Sequence, residues 1–329
     1  MTAVLLIAVL AAIAIVVHDY FSGRCLVLDV IDEIRLACAD IAELDRLCRA
    51  NPDRSDAVVC LTTLPSRLPL IDDTIKSLLR QTRAPAEIRL YLPRFSKREE
   101  APYSVPPHLR GLKSLVLIEN EDDHGPATKF WSAIRTAQPD QKLVILDDDR
   151  IYAAGMLARL DDAANADPAA AFCLGGWTVP ADLVDRPTTM MMNIRAIPPA
   201  QLRAVRLKHR VRIDILMGCH GYLIRPRQLD LKRLFDLSRA PAAAFFADDI
   251  WISAWCRAPK YALPVRRTNF QPHRHIRRYD RSSLGWVNRT GRPETWANTK
   301  VLKWFGRDQW LAAGPVMSRQ RPMAFDPAE

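Results

Sequence analysis

The 329-residue chain carries 47 Lys and Arg against 37 Asp and Glu, a net charge of +10, with 49% apolar and 26% charged residues. Such a mixture excludes a disordered chain, a collagen and a disulfide-stapled mini-protein, and the length supplies core for one large domain or two small ones. With 12 Gly, 24 Pro and no repeat at a period of roughly 20 to 50 residues, solenoids and propellers are excluded as well.

Residues 2–17 are apolar and uncharged, near the lower limit for a helix that spans a bilayer. No Lys or Arg precedes this run, whereas Arg24, Arg35, Arg46 and Arg49 follow it. The positive-inside tendency then predicts a membrane anchor over residues 1–20, placed in a bacterial inner membrane with the bulk of the chain in the cytoplasm. A cleaved signal peptide is the alternative. In residues 27–48, Val27, Ile31, Ile34, Cys38, Ile41, Leu44 and Cys48 recur three or four apart, the stripe of one amphipathic helix. Residues 21–52 are therefore expected to form a stalk or pairing helix, or to pack against the main domain. The seven Cys, an odd number without a C-x-x-C pair and partly set in apolar runs, read as reduced, buried thiols of a cytosol-facing protein.

From residue 53 short apolar runs alternate with helical patterns. Strands are predicted over 57–61, 88–92, 115–118 and 143–146, and helices over 70–81 and 128–137. Apolar strands separated by helices imply a mostly parallel sheet covered on both faces, with ligands at the strands' carboxyl ends. Beyond Asp149 the alternation loosens, so residues 53–150 and 151–280 are expected to form two halves, the second an appended substrate half. Between Lys260 and Lys303 stand eleven Lys and Arg but only Asp280 and Glu294, so this stretch holds nine of the ten net positive charges. It is either a solvated basic flank or the seat of an anionic partner such as a phosphorylated donor, a lipid-linked acceptor or a membrane surface. Arg277 and Arg278 are its candidate contacts. No nucleic-acid-binding module is recognisable, and nucleic acid is not expected as a partner. Residues 281–329 form a basic C-terminal extension.

The sharpest motif is Leu143-Val144-Ile145-Leu146-Asp147-Asp148-Asp149, in which a buried strand delivers three carboxylates to its end. Adjacent carboxylates repel, so a bound cation such as Mg²⁺ or Mn²⁺ would explain the cluster. Alternation along an extended segment would turn Asp147 and Asp149 to one side and Asp148 away. Phe245-Phe246-Ala247-Asp248-Asp249-Ile250-Trp251 sets two acids among bulky apolar groups, which raises a carboxylate toward a general base's working range, at the first turn of a predicted helix. Gly125-Pro126-Ala127-Thr128-Lys129 is a turn leading into a helix whose Lys129 could reach a phosphate. Thr62, Thr63 and Arg67 stand at another strand's end. Gly218-Cys219-His220-Gly221 permits close approach by a ligand or backbone. His273 and His275 alternate within the basic stretch and could complete a metal site.

In this order the segments resemble the GT-A class of nucleotide-sugar glycosyltransferases, close to the family-two type, over residues 56–280. The resemblance implies a GT-A-like, Rossmann-like α/β fold with a divalent metal, Mn²⁺ or Mg²⁺, on Asp147 and Asp149 and on His273 or His275. It implies a nucleotide-diphosphate sugar held by Thr62, Thr63, Arg67, Gly125, Lys129, Asp147 and Asp148. Asp249 or Asp248 would be the base, Asp248 standing where the family more often has Glu. Gly218, His220 and Trp251 would meet a glycan or lipid-linked acceptor. Base and leaving group on opposite faces of the sugar favour inversion. Competing classes are a nucleotidyltransferase that makes nucleotide sugars, disfavoured by the Gly-free loop 62–67, and a membrane-tethered scaffold binding polyanions, which would leave both acid clusters unexplained.

Overall fold

In a computed structural model, residues 2–120, 122–186, 204–285 and 291–311 are described, together with Met191, Leu202 and Arg289. The end of the basic extension lies outside the described residues.

Chain order gives helices α1 (Thr2–Ser22), α2 (Leu26–Cys38) and α3 (Ile41–Ala50), then β1 (Val58–Thr62), α4 (Asp72–Leu79), β2 (Glu87–Pro93), β3 (Leu115–Asn120), α5 (Thr128–Thr136) and β4 (Leu143–Ile145). There follow α6 (Met156–Ala166), β5 (Ala171–Cys173), β6 (Val211–Arg212), β7 (Tyr222–Ile224), α7 (Asp248–Trp255), β8 (Lys260–Ala262), α8 (Ile276–Arg281) and α9 (Ala297–Phe305). The strands join one eight-stranded sheet in the order β3-β2-β1-β4-β7-β5-β8-β6. β7 is antiparallel to both β4 and β5, β6 is antiparallel to β8, and the remaining pairings are parallel. The two halves on either side of Asp149 therefore share a single sheet, and hydrogen bonding is continuous across the expected boundary.

Period-two alternation divides the core between the faces. Val58, Cys60, Leu143, Ile145, Tyr222 and Ile224 point to a cluster completed by α5, α7 and α9, through Phe130, Trp251 and Leu302 among others. Val59, Leu61, Val144, Leu146 and Leu223 point the other way, to α3, α4 and α6. Strands apolar on both sides need both faces covered, and this sheet is covered on both.

The helix expected over 27–48 is two helices. Ala39 is extended (ψ 138°), and the Asp40 side chain accepts the Ala42 N–H at 3.0 Å to start α3. Both pack on the body rather than standing free. Leu44 and Cys48 are buried, and Asp45 accepts the backbone N–H groups of Lys113 and Ser114 at 3.0 and 2.7 Å. Of the Cys, Cys38 is exposed, contrary to the expectation that all are buried; Cys48, Cys60, Cys173 and Cys256 are buried, and all seven are unpaired. The basic stretch is partly structural: Arg267 pairs with Asp29 and Asp32, Arg274 with Asp73, and Lys260 donates to the carbonyls of Ser253 and Cys256. Helix α9, within the expected C-terminal extension, buries Thr299, Val301 and Leu302.

Helix α1 is long and apolar enough to cross a membrane by length and composition, a test a signal sequence also meets.

Candidate active site

Parallel pairing brings the carboxyl ends of β1 and β4 side by side, and the antiparallel β7, paired Tyr222 to Ile145, starts at that same edge. Three chain segments thus meet where β4 runs out: Thr62–Arg67, Asp147–Arg150 and the turn before β7. Asp248 and Asp249 open α7 as first-turn residues, as the sequence predicts. A cavity of about 410 Å³ lies over this edge, lined by Thr62, Thr63, Arg67, Gly125, Lys129, the three acids Asp147, Asp148 and Asp149, and Asp248 and Asp249.

Lys129 joins the two acid clusters. Its Nζ lies 2.6 Å from Asp147 Oδ1 and 2.8 Å from Asp248 Oδ2, and the residue is 3% exposed. Burial lowers its pKa, but the charges of Asp147 and then Asp248 outweigh this and hold the ammonium well above its ordinary range. Asp147, half-buried, is correspondingly held below the usual carboxylate range by Lys129. Gly218 packs against both groups: a Cβ there would stand 2.7 Å from Asp147 Oδ1 and 2.7 Å from Lys129 Nζ. Tyr152 braces the same segment, its hydroxyl 3.0 Å from both the backbone N and the carbonyl O of Asp147.

Asp148 does not turn away from the cleft. It accepts hydrogen bonds from Thr63 Oγ1 and, at 2.9 Å, from Arg67. Burial raises its pKa, with Arg67 opposing. Arg67 also donates to the carbonyls of Tyr279 (3.2 Å) and Ser282 (2.9 Å), and Thr62 Oγ1 donates to the Tyr91 carbonyl at 2.7 Å. The Thr62, Thr63 and Arg67 polar groups expected on the nucleoside are thus engaged within the fold, and Arg67 and Thr63 hold Asp148 in place. Asp149 accepts from Gln271 Nε2 at 3.1 Å; its Oδ1 is buried without a hydrogen bond, 3.2 Å from Arg150 Nε.

Asp248 and Asp249 differ. Asp248 is 5% exposed and ion-paired to Lys129. Asp249 has no ion pair among the described residues; both its oxygens lie 3.1 Å from the Gly218 N–H. Burial, then the neighbouring charge of Asp248, raises Asp249 well above the usual carboxylate range.

Gly125 adopts φ +61°, and its N–H donates to Asp123 at 2.7 Å. A Cβ there would meet the Phe245 carbonyl at 2.8 Å, so the turn that aims Lys129 inward requires glycine twice over.

Several expected contacts fall elsewhere. Trp251 is 2% exposed in the core with its Nε1 donating to the Leu234 carbonyl at 2.9 Å, because the second residue after Asp249 on a helix turns to the sheet rather than to the cleft. His220 is absent from the cavity wall; its ring packs on Gly175, and burial pushes its pKa down to about 4. Neither His273 nor His275 lines the cavity: His273 is bound by Glu33 and Arg24, and His275 Nε2 lies 3.9 Å from Asp73. Arg277 and Arg278 are exposed and outside the cavity wall. Among the described residues no three His, Cys, Asp or Glu side chains converge as a metal set. Sequence reasoning passed over Arg150, Gln271, Tyr152 and Arg98. Arg150 directly follows the acid run, a local signal; Gln271 and Arg98 reach the cavity only through the fold.

No protein-family model matches this chain, and no curated protein sequence matches it. Among solved structures it aligns with residues 1–349 of TarS from S. aureus, at 13% identity and TM-score 0.40 over 65% of this chain and 60% of that one. It also aligns with GalNAc-T7 solved with UDP, GalNAc and Mn²⁺ (16% identity, TM-score 0.39, 63% of this chain, 42% of that one). A third is the mannosyltransferase PcManGT of Pyrobaculum calidifontis in complex with GDP-Man and Mn²⁺ (17% identity, TM-score 0.42, 86% and 85%). The match spans less than two thirds of TarS and of GalNAc-T7.

Proposed function

We propose that the chain is a glycosyltransferase that moves a sugar from a nucleoside-diphosphate donor to a hydroxyl of a glycan or lipid-linked acceptor, with inversion, from a membrane anchored by α1. The observation that carries this is the meeting of the strand-end acids and the helix-start acids in one cavity, bridged by Lys129. A solvated acidic turn or an ordinary helix cap would not be drawn against the other cluster behind a buried ammonium.

Asp249 is the acceptor base. It forms no ion pair among the described residues, it lines the cavity, and its raised pKa suits proton abstraction, whereas Asp248 pairs directly with Lys129. The Gly218 N–H fixes the direction of its carboxylate. Arg150 and Arg98, both on the cavity wall, can meet phosphate oxygens. Asp149 and Asp147 are hard oxygen donors of the class Mg²⁺ and Mn²⁺ take, and the buried Asp149 Oδ1, which faces Arg150 Nε at 3.2 Å without a hydrogen bond, could meet such an ion, with donor diphosphate and water supplying further ligands. When bound, the cation would offset charge on the departing diphosphate.

Screening nucleotide sugars against the full-length chain with Mn²⁺ tests the reading. Metal-dependent thermal stabilisation by one nucleoside diphosphate, and hydrolysis or transfer of its sugar, is expected. Absence of any such binding with a folded chain would sink it.

A further inference from the structure

Glu33 lies on α2, just after the apolar helix and far along the chain from either acid cluster, yet its carboxylate grips the segment that reaches Asp149. Oε2 accepts the backbone N–H of His273 at 2.9 Å and lies 2.7 Å from His273 Nδ1; Oε1 accepts the Arg274 N–H at 2.9 Å. Arg24 Nη2 stands 3.0 Å from His273 Nε2. Because a guanidinium can only donate, Nε2 accepts and Nδ1 carries the hydrogen given to Glu33. Both ring nitrogens are therefore satisfied by structural partners, which is why this His is not offered to a metal.

The same segment is tied to the acid run. Gln271, two residues before His273, donates to Asp149 Oδ2 at 3.1 Å, and the intervening Pro272 stiffens the link. Phe270 exchanges backbone hydrogen bonds with Ile151, at 2.8 and 3.2 Å, and Leu36 of α2 packs with Ile151 and Phe270 as a separate apolar cluster. Arg274 is held from the far side by Asp73 of α4, at 3.1 Å through Nε. One face of α2 thus supports both the segment that follows Asp149 and the arm that bonds it.

We propose that Glu33 is a positioning residue for Asp149, acting through His273, Arg274 and Gln271, so that α2 forms part of the active-site framework. Removing the carboxylate leaves two backbone N–H groups and the His273 ring without their acceptor, frees the 270–274 arm, and lets Asp149 leave its set orientation. The catalytic arm of the test rests on the proposed transfer reaction; the structural arm does not.

The experiment is hydrogen–deuterium exchange by mass spectrometry on the whole chain and on Glu33→Ala, Glu33→Gln and, as control, Glu43→Ala, whose carboxylate pairs with the exposed Arg46. In Glu33→Ala, exchange should rise at least tenfold in residues 270–275 and also across 147–152. Glu33→Gln, which keeps one acceptor oxygen, should be intermediate and guards against a misfolded Ala variant, while Glu43→Ala should match the native chain. With a donor in hand, kcat of Glu33→Ala should fall roughly 10- to 100-fold, the usual cost of losing a supporting residue behind a ligand, with acceptor KM nearly unchanged. Faster exchange confined to 270–275, with 147–152 as in the native chain, would overturn the proposal. Spread of exchange to 147–152 in a chain that transfers no sugar would uphold the positioning role and sink the proposed function instead.

Discussion

The backbone N–H of Gly218 points at the carboxylate of Asp249, 3.1 Å from each oxygen. This holds an acid whose pKa burial and Asp248 raise under a fixed backbone dipole at the mouth of β7, with no ion pair of its own among the described residues. Asp249→Asn should lower kcat by about 10²- to 10⁴-fold while nucleoside diphosphate binding persists. Steady-state rates beside a calorimetric titration with UDP or GDP check both halves.

Asp249 also sets a pH dependence. Its pKa is raised by burial and by Asp248, so the folded chain binds more protons than the unfolded one between the unfolded value, about 3.9, and the folded one. Stability from this group is therefore present at low pH and lost as pH rises through that window. Asp249→Asn should flatten the dependence and be the more stable chain at pH 8. Denaturation midpoints at pH 5 and pH 8 measure this, and equal pH slopes in both chains would contradict it.

Lys129→Met should destabilise the chain by about 3 kcal/mol, because it strands the buried carboxylate of Asp248 and takes the cation from the half-buried Asp147. Adding Asp248→Asn should restore part of the loss, since one uncompensated charge is then removed. Urea titrations of single and double variants read the coupling.

Gly218→Ala puts a methyl group 2.7 Å from both Asp147 Oδ1 and Lys129 Nζ. Overpacking of this kind costs about 1–3 kcal/mol. The displaced groups are the site's own, so kcat/KM should fall by more than the stability loss explains when assayed well below the melting temperature.

Trp251→Ala should cost about 3–5 kcal/mol from core loss and leave acceptor KM unchanged in the folded fraction, because the indole faces the sheet and α9 rather than the cavity. A rise in acceptor KM with unchanged stability would return Trp251 to the site.

The alternating sheet and the two acid clusters were legible in the sequence because they are local patterns. Four apolar residues before Asp147, bounded by polar groups, mark a short buried strand that delivers acids to its end, and bulky residues around Asp248 and Asp249 presage a helix start at a desolvated edge. The helix break at Ala39–Asp40 was less legible: the apolar stripe runs through it, and the Asp40 cap competes only once α3 has a surface to pack on. His273 and His275 looked like ligands by type and spacing. Which way an imidazole faces is decided by its partners, and Glu33 lies 240 residues away in sequence.

What the chain determined alone was therefore composition-level and periodic: the first four strands up to the acid run, a spanning-length apolar helix, carboxylates at element ends. The pairing of β7 against β4, the bridging of the acid clusters by Lys129, the division of labour between Asp248 and Asp249, and the grip of α2 on the Gln271 arm belong to tertiary structure. Each is a contact between residues remote in sequence, fixed by sheet register and burial, and no local pattern encodes the distance across which a charge will find its partner.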